Sequence, residues 1–291
     1  MTLLTYSKHR NVKLERLGFE LVSVDVPRGE LVLKHPGASV TDFDIDYQPK
    51  IWVMMGWVIS ARTFAHSQTI DQTTGRTFLD NRELRKERLV FVRASEIEFT
   101  KAMYDSMIDK RPLYMKVRGG YIGKTSYTSI AEVTSPSGET LIKNTNRLMG
   151  VDIVTRKPLP IPDWYRERNH RSFHSPPKIF EKLKRPNAVQ HKRMRVSWSD
   201  LDLNIHATWS TYVMMTINAA SLLVKDGHLR HFRENKLRGL HKLQLQFLGE
   251  SIEGDELDVY VWEETETHIM NSDVCKKGKS IFQGSFEFFK D

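Results

Sequence analysis

Four polar side chains stand at alternating positions in WSDLDLNIHATWSTYVMMTINAA (198–220): Asp200, Asp202, Asn204 and His206. Two carboxylates, an amide and an imidazole in one short stretch are groups that hold and move protons. A side chain placed to take a proton from water contributes about 10²–10⁴-fold to a hydrolysis. The same residue types also serve plain structure. Asp202 fits a cap on the turn, Asn204 a turn residue, and His206 a satisfied group beside an apolar helix. Spacing alone leaves both readings open.

Past the polar stretch, YVMMTINAASLLV is apolar on nearly every face. A helix of that kind is buried on most sides. The expected helix covers roughly 207–225, with Gly227 as its C-terminal stop. Alternating runs come next: LHKLQLQFLGES, DELDVYVWEET, HIMNSDV and KSIFQGSFEFF, with a turn at Gly254-Asp255. Their period of two suits antiparallel strands with one buried face.

The pattern has an echo near the start of the chain. DFDIDYQPKIWVMM (42–55) matches DLNIHATWSTYVMM (202–215) at Asp42/Asp202, Ile45/Ile205, Val53/Val213, Met54/Met214 and Met55/Met215. This alignment sets Asp44 against Asn204 and Asp46 against His206. Aligning Phe91 with Phe247 sets Ala94 against Glu250. Asp46 is expected to cap the first helix, with Pro49 in its first turn. The strand-like runs RLVFVRASEIEF, RPLYMKV, TSYTSIAEV and TLIKNTNRLMGVD follow, with a hairpin turn at SPSGE. One long buried helix and then an antiparallel sheet, occurring twice, predicts an α+β tandem (double) hotdog: two curved antiparallel sheets, each wrapping a helix.

Bulk composition fits this. The 291 residues are 40% hydrophobic and 27% charged, with net charge +8. The charge is concentrated. Residues 156–195 hold twelve Lys/Arg, three acids and six of the eleven prolines. That reads as a connector, either solvated or a docking strip for an anionic partner. The expected organisation is therefore 1–155, an N-terminal hotdog with a degenerate site; 156–190, the basic connector; and 191–291, a C-terminal hotdog with the active site. The lone Cys275 excludes an internal disulfide and is expected at a turn. No run of about 18 apolar residues marks a membrane span.

The segment Asp202-x-Asn204-x-His206, after WSD and before the helix, resembles the signature of acyl-ACP thioesterases of the plant and bacterial type, which are double-hotdog enzymes. The resemblance implies a catalytic glutamate on a downstream strand, and Glu250 in LQFLGE stands at the corresponding place. In that family two asparagines commonly follow His-x; here Thr208 and Trp209 stand there. The implied activity is hydrolysis of fatty acyl thioesters on coenzyme A or an acyl carrier protein. In that chemistry Glu250 or His206 deprotonates the water. Asn204 orients water or carbonyl, Asp202 buttresses, and amides near Ala207 and Thr208 polarise the carbonyl. Direct attack by a carboxylate on the acyl group is a further route.

Trp209, Tyr212 and Met214 either pack the core or line an acyl tunnel, where a flexible Met suits variable chains. Three alternatives stay open: a divergent acyl-CoA thioesterase, a hotdog dehydratase acting on 3-hydroxyacyl thioesters, and a non-catalytic acyl-binding protein. No cofactor and no metal are expected. The paired histidines of HRSFH (170–174) and HLRH (228–231) lack completing ligands, and the carboxylates Asp42, Asp44 and Asp46 read as a solvated loop with a cap. GGYIGKT (119–125) has too few residues between its glycines for a phosphate loop. Nucleic acid is not an expected partner, because basic and aromatic residues do not interleave. A homodimer is open. The N-terminal MTLLTYSKHRNVKLERLGFE has no secretory signal, and cytoplasmic location is the simple expectation, with organelle import as the alternative.

Overall fold

A computed structural model describes residues 18–169, 176, 180–202, 204–264 and 268–290. The expectations for HRSFH and for the stretch 1–17 lie outside that range. In chain order the first part has β1 (Glu20–Asp25), β2 (Glu30–His35), α1 (Ile51–Ser67), β3 (Thr69–Asp71), β4 (Arg76–Thr77), α2 (Asn81–Glu87), β5 (Leu89–Phe99), β6 (Leu113–Ile122), β7 (Ser126–Thr134) and β8 (Thr140–Val151). The second has α3 (Asp163–Asn169), β9 (His191–Arg195), α4 (Trp209–Lys225), α5 (Phe232–Arg238), β10 (Leu240–Phe247), β11 (Glu256–Glu263), β12 (Ile269–Lys276) and β13 (Lys279–Phe288).

Eleven strands form one antiparallel sheet in the order β1-β2-β6-β7-β8-β5-β10-β13-β12-β11-β9. Outward from the central β5–β10 pair the order is the same on both sides. On one side run β8, β7, β6 and β2; on the other run β13, β12, β11 and β9. This is the double hotdog. The halves join at Gln244↔Glu96 and its neighbours. Lys242 bridges Glu96 and Glu98 across that seam at 2.9 and 3.1 Å.

α1 and α4 are each 17 residues long and pack against one another inside the sheet's curve. Their sequences explain the position. α1 buries Met54, Met55, Val58, Ala61 and Phe64, and α4 buries Val213, Ile217, Ala219, Ala220 and Leu223. Each fully buried large side chain contributes about 1.5–3 kcal/mol. The sheet supplies the facing layer from its alternate residues: Ile97 and Phe99 of β5, Leu243 and Leu245 of β10, and Phe282, Phe286 and Phe288 of β13.

Three local expectations change. Lys50, not Asp46, is the N-cap residue of α1, and Asp46 instead binds Lys236 of α5. Cys275 is buried near the end of β12, because the turn comes two residues later at Lys277–Gly278. The described part of the connector is not simply solvated. Residues 181–185 lie across the outer face of the second half's sheet. There the Leu183 amide donates to Gln283 Oε1 at 3.0 Å, and the Gln283 amide returns the bond to Leu183 O. Arg185 pairs with Asp273 at 3.2 Å and stacks 3.7 Å over Tyr260.

Candidate active site

Asp202 organises the turn before α4. Its Oδ1 accepts the amides of Asn204 (2.7 Å) and His206 (3.3 Å), and its Oδ2 accepts the Asn204 side-chain amide (3.1 Å). The Asp202 amide donates to His206 O at 2.8 Å and closes the loop. Ile205 adopts a left-handed φ of 65° within it, a conformation unusual for a β-branched residue. The turn therefore holds His206 by both its amide and its carbonyl, and Asp202 acts as its frame.

The imidazole is thereby set against the strand end beyond β10. His206 Nε2 lies 3.3 Å from Glu250 Oε2. The His206 side chain is 17% exposed and the Glu250 side chain 50%, so the pair is reached by water from one side. Glu250 is held there by backbone. The amides of Leu248 and Gly249 donate to Ile281 O, and Ser251 O accepts the Ala207 amide at 2.8 Å. Tyr212, one turn into α4, reaches Ser251 Oγ at 2.9 Å, and burial raises its pKa.

One assigned role changes. The Ala207 amide is spent on Ser251 O, and the Thr208 amide donates to Asp200 O at 2.9 Å. Neither is free to polarise a carbonyl. The next two amides, of Trp209 and Ser210, have no protein acceptor among the described residues, as expected of the first turn of a helix. Trp209 sits edge-on to Phe247 at 6.2 Å, and Tyr212 stacks on Phe282 at 5.2 Å. Tyr212 is buried core; Met214 is half-buried.

The first half repeats this turn, but two positions away from the register its sequence suggests. The Asp44 amide donates to Gln48 O, as Asp202 does to His206 O. Asp44 Oδ1 accepts the amides of Asp46 and Gln48, as Asp202 Oδ1 does those of Asn204 and His206. Tyr47 has the left-handed φ (57°) of Ile205. The helix starts agree, with Ile51 opening α1 where Trp209 opens α4. Asp44 is thus the counterpart of Asp202, Asp46 of Asn204, and Gln48 of His206. A period-two pattern looks the same after a two-residue slip, and a helix apolar all round offers chance matches such as Val-Met-Met. The missed signal is Ser39-x-x-Asp42 against Ser197-x-x-Asp200. In both, the Asp carboxylate accepts the Ser amide, at 2.8 and 2.7 Å.

The glutamate alignment shifts too. Ala94 pairs with Gln246 in mid-strand and does not stand against Glu250. The Thr100 amide donates to Leu141 O as the Leu248 amide does to Ile281 O, each the next pair of its strand register, so Phe99 matches Phe247 and Ala102 stands where Glu250 stands in the second half. Asp44 and Asp46 face Lys236 Nζ, 2.7 and 3.1 Å away. Burial alone would raise the Asp44 pKa, but that ammonium and the Gln48 and Asp46 amides outweigh it and hold it low. This loop is neither a simple cap nor fully solvated. Among the described residues no group of three His, Cys, Asp or Glu side chains is arranged to hold a metal, and no helix is long and apolar enough to cross a membrane.

No protein-family profile and no curated protein sequence matches the chain. Solved structures do. The 12:0-ACP thioesterase from Umbellularia californica superposes with a TM-score of 0.66 at 16% identity, covering 93% of this chain and 100% of that one. An acyl-ACP thioesterase from Bacteroides thetaiotaomicron gives 0.64 at 14%, covering 91% and 100%. The peroxisomal multifunctional enzyme type 2 of Drosophila melanogaster gives 0.50 at 13%, covering 93% of this chain but 48% of its own. By its architecture over nine-tenths of its length, the chain has the double-hotdog fold of the acyl-ACP thioesterases.

Proposed function

We propose that the protein hydrolyses fatty acyl thioesters carried by coenzyme A or an acyl carrier protein. The carrying observation is the His206–Glu250 contact of 3.3 Å beside the start of α4. The pair takes a proton from a water entering on the open side, where Glu250 is half exposed. The water oxygen attacks the thioester carbon. The Trp209 and Ser210 amides face the oxygen that becomes anionic; a donor of that kind is worth about 3–4 kcal/mol. Collapse of the adduct expels the thiolate, which recovers the proton, so the products are a carboxylic acid and a free thiol. Asn204 orients the water or the carbonyl. Asp202 positions His206 and does not touch substrate.

The two halves differ in a way that fits one active site. Gln48 stands where His206 stands and has no basic nitrogen. Lys236 closes the first-half turn. We take residues 1–155 as the degenerate half and 191–291 as the active one.

The test is release of free thiol from a panel of acyl thioesters, followed with a thiol reagent. Wild type is expected to release it. His206→Ala and Glu250→Ala should each lose about 10²–10⁴-fold in kcat, while Asp46→Ala retains activity. An active His206→Ala, or an Asp46→Ala variant that is the damaged one, would overturn the assignment. Ligand-dependent stabilisation without thiol release would favour the acyl-binding protein.

A further inference from the structure

The interior of the first half contains a charge that the fold does not require. Arg62 of α1 is 6% exposed. Its Nε donates to Ser129 Oγ (3.2 Å), its Nη1 to Asn144 Oδ1, and its Nη2 to the backbone oxygens of Ser129 (2.9 Å) and Asn144 (3.2 Å). All four acceptors are neutral. A guanidinium has five N–H groups, so one Nη1 hydrogen has no acceptor among the described residues. No carboxylate there neutralises the charge. Burial draws the pKa down to about 9, which leaves the group cationic at neutral pH. In the register that sets Gln48 against His206, the position equivalent to Arg62 in α4 is Ala220, fully buried. A hotdog helix therefore does not need this arginine.

Around Arg62 lies a polar layer. Ser95 bonds Asn146, and Asn144 bonds Ser95. On β7 and β8 the layer adjoins Tyr127 and Leu148, two residues along the same faces. Those two belong to a second apolar cluster, separate from the main core, with Leu84, Val90, Ile161 and Tyr165. This cluster lies at the candidate site's end of the sheet. Gln246 pairs with Ala94, so in an antiparallel register the chain running on to Glu250 meets the Leu89–Val92 end of β5. In the second half, the interior beside Ser251 is filled by Tyr212, Phe247 and Phe282 packed on one another. The first-half cluster is the apolar region beside the site that ends on a charge.

Resting on the thioesterase reading above, we propose that this cluster receives the acyl chain and that Arg62 meets a carboxylate at its far end. The substrate class is then the monothioester of a long dicarboxylic acid. The unpaired Nη1 hydrogen and the uncompensated charge are what such a carboxylate would satisfy.

The test is calorimetric binding of matched mono- and α,ω-dicarboxylic acids of several lengths to the wild-type chain. It needs no hydrolysis. At the best length the diacid should bind roughly tenfold or more tighter than the monoacid. Arg62→Gln should erase that preference, and Arg62→Lys should keep part of it. Equal or weaker diacid binding by the wild type, or binding of neither acid, overturns the proposal without reference to any variant. So does a preference that persists in Arg62→Gln. Thiol release from plain acyl thioesters, measured in parallel, separates the cases. If release persists while the diacid preference is absent, the inference falls and the thioesterase reading stands. If release is absent from monoacyl and dicarboxylic thioesters alike, that reading itself has failed.

Discussion

Two carboxylates near His206 have different duties. Glu250 touches the imidazole, whereas Asp202 touches only the turn. Asp202→Ala should therefore act through position. It removes the acceptor for three N–H groups, and we expect a stability loss of about 1–3 kcal/mol together with a lower kcat. Asp202→Asn keeps one acceptor and should recover part of both; urea unfolding and thiol-release kinetics check this. If Asp202→Ala lost activity with unchanged stability, the framing role would be wrong. Spacing picked out Asp202, Asn204 and His206 as candidates, and the resemblance added Glu250; that His206 and Glu250 lie 3.3 Å apart needed the fold. The wrong partners in the first half came from a repeat whose polar period of two hides a two-residue slip.

At the scale of elements, single side chains tie the halves together beside the β5–β10 ladder and the α1–α4 packing. Tyr104 is one. Its hydroxyl donates to Leu240 O at 2.8 Å and accepts the Leu240 amide at 3.0 Å. It fixes the first residue of β10 from the other half. Burial pushes its pKa above the ordinary tyrosine value, so it remains protonated. Tyr104→Phe leaves both backbone groups of buried Leu240 unpaired and should cost about 1–3 kcal/mol, read from the urea midpoint. The connector makes a similar contact on the outer face. Gln283→Leu strands the amide and carbonyl of Leu183 and should expose residues 181–185 to proteolysis. Protection equal to wild type would show that the connector is held by other contacts. The strands after each long helix were readable from their alternation. β9, the hairpin β3–β4 and the short helices α2, α3 and α5 were not, because they carry too few periods to show a pattern.

For the whole molecule, one continuous sheet and two helices packed on each other predict a single cooperative unfolding transition, seen as coincident fluorescence and circular dichroism curves. The pH dependence has a definite sign. His35 is buried, and burial lowers its pKa from 6.5 to about 4 against a smaller opposing pull from Asp42. Its Nδ1 accepts the Gly37 amide at 2.9 Å, which also requires an unprotonated nitrogen. The unfolded chain thus binds this proton first as pH falls. The stabilisation is complete above about pH 6.5 and is lost progressively down to about pH 4. Asp44 and Asp255, held below their ordinary range, lose their contributions only below that window. Burial draws the His66 pKa down to about 3, with the same sign, so urea unfolding at about pH 7.5 and about pH 5 should show the fall, and His35→Gln should reduce it while His66 keeps the remainder. An unchanged slope in the variant would assign the effect elsewhere.

Composition and periodicity determined the α+β class, the long buried helices and the doubling, because burial leaves a repeating mark on a chain. Local residue types also singled out the turn before the second long helix as the candidate site. The register between the halves was decided by tertiary structure, since it depends on which amide reaches which carbonyl. So was the meeting of His206 with Glu250, which a long helix and a strand separate along the chain. Among the described residues the amides of Trp209 and Ser210 have no acceptor, while Ser251 and Asp200 take the two before them. The buried charge of Arg62 is visible only in three dimensions, because nothing in a linear sequence shows that an arginine lacks an acid.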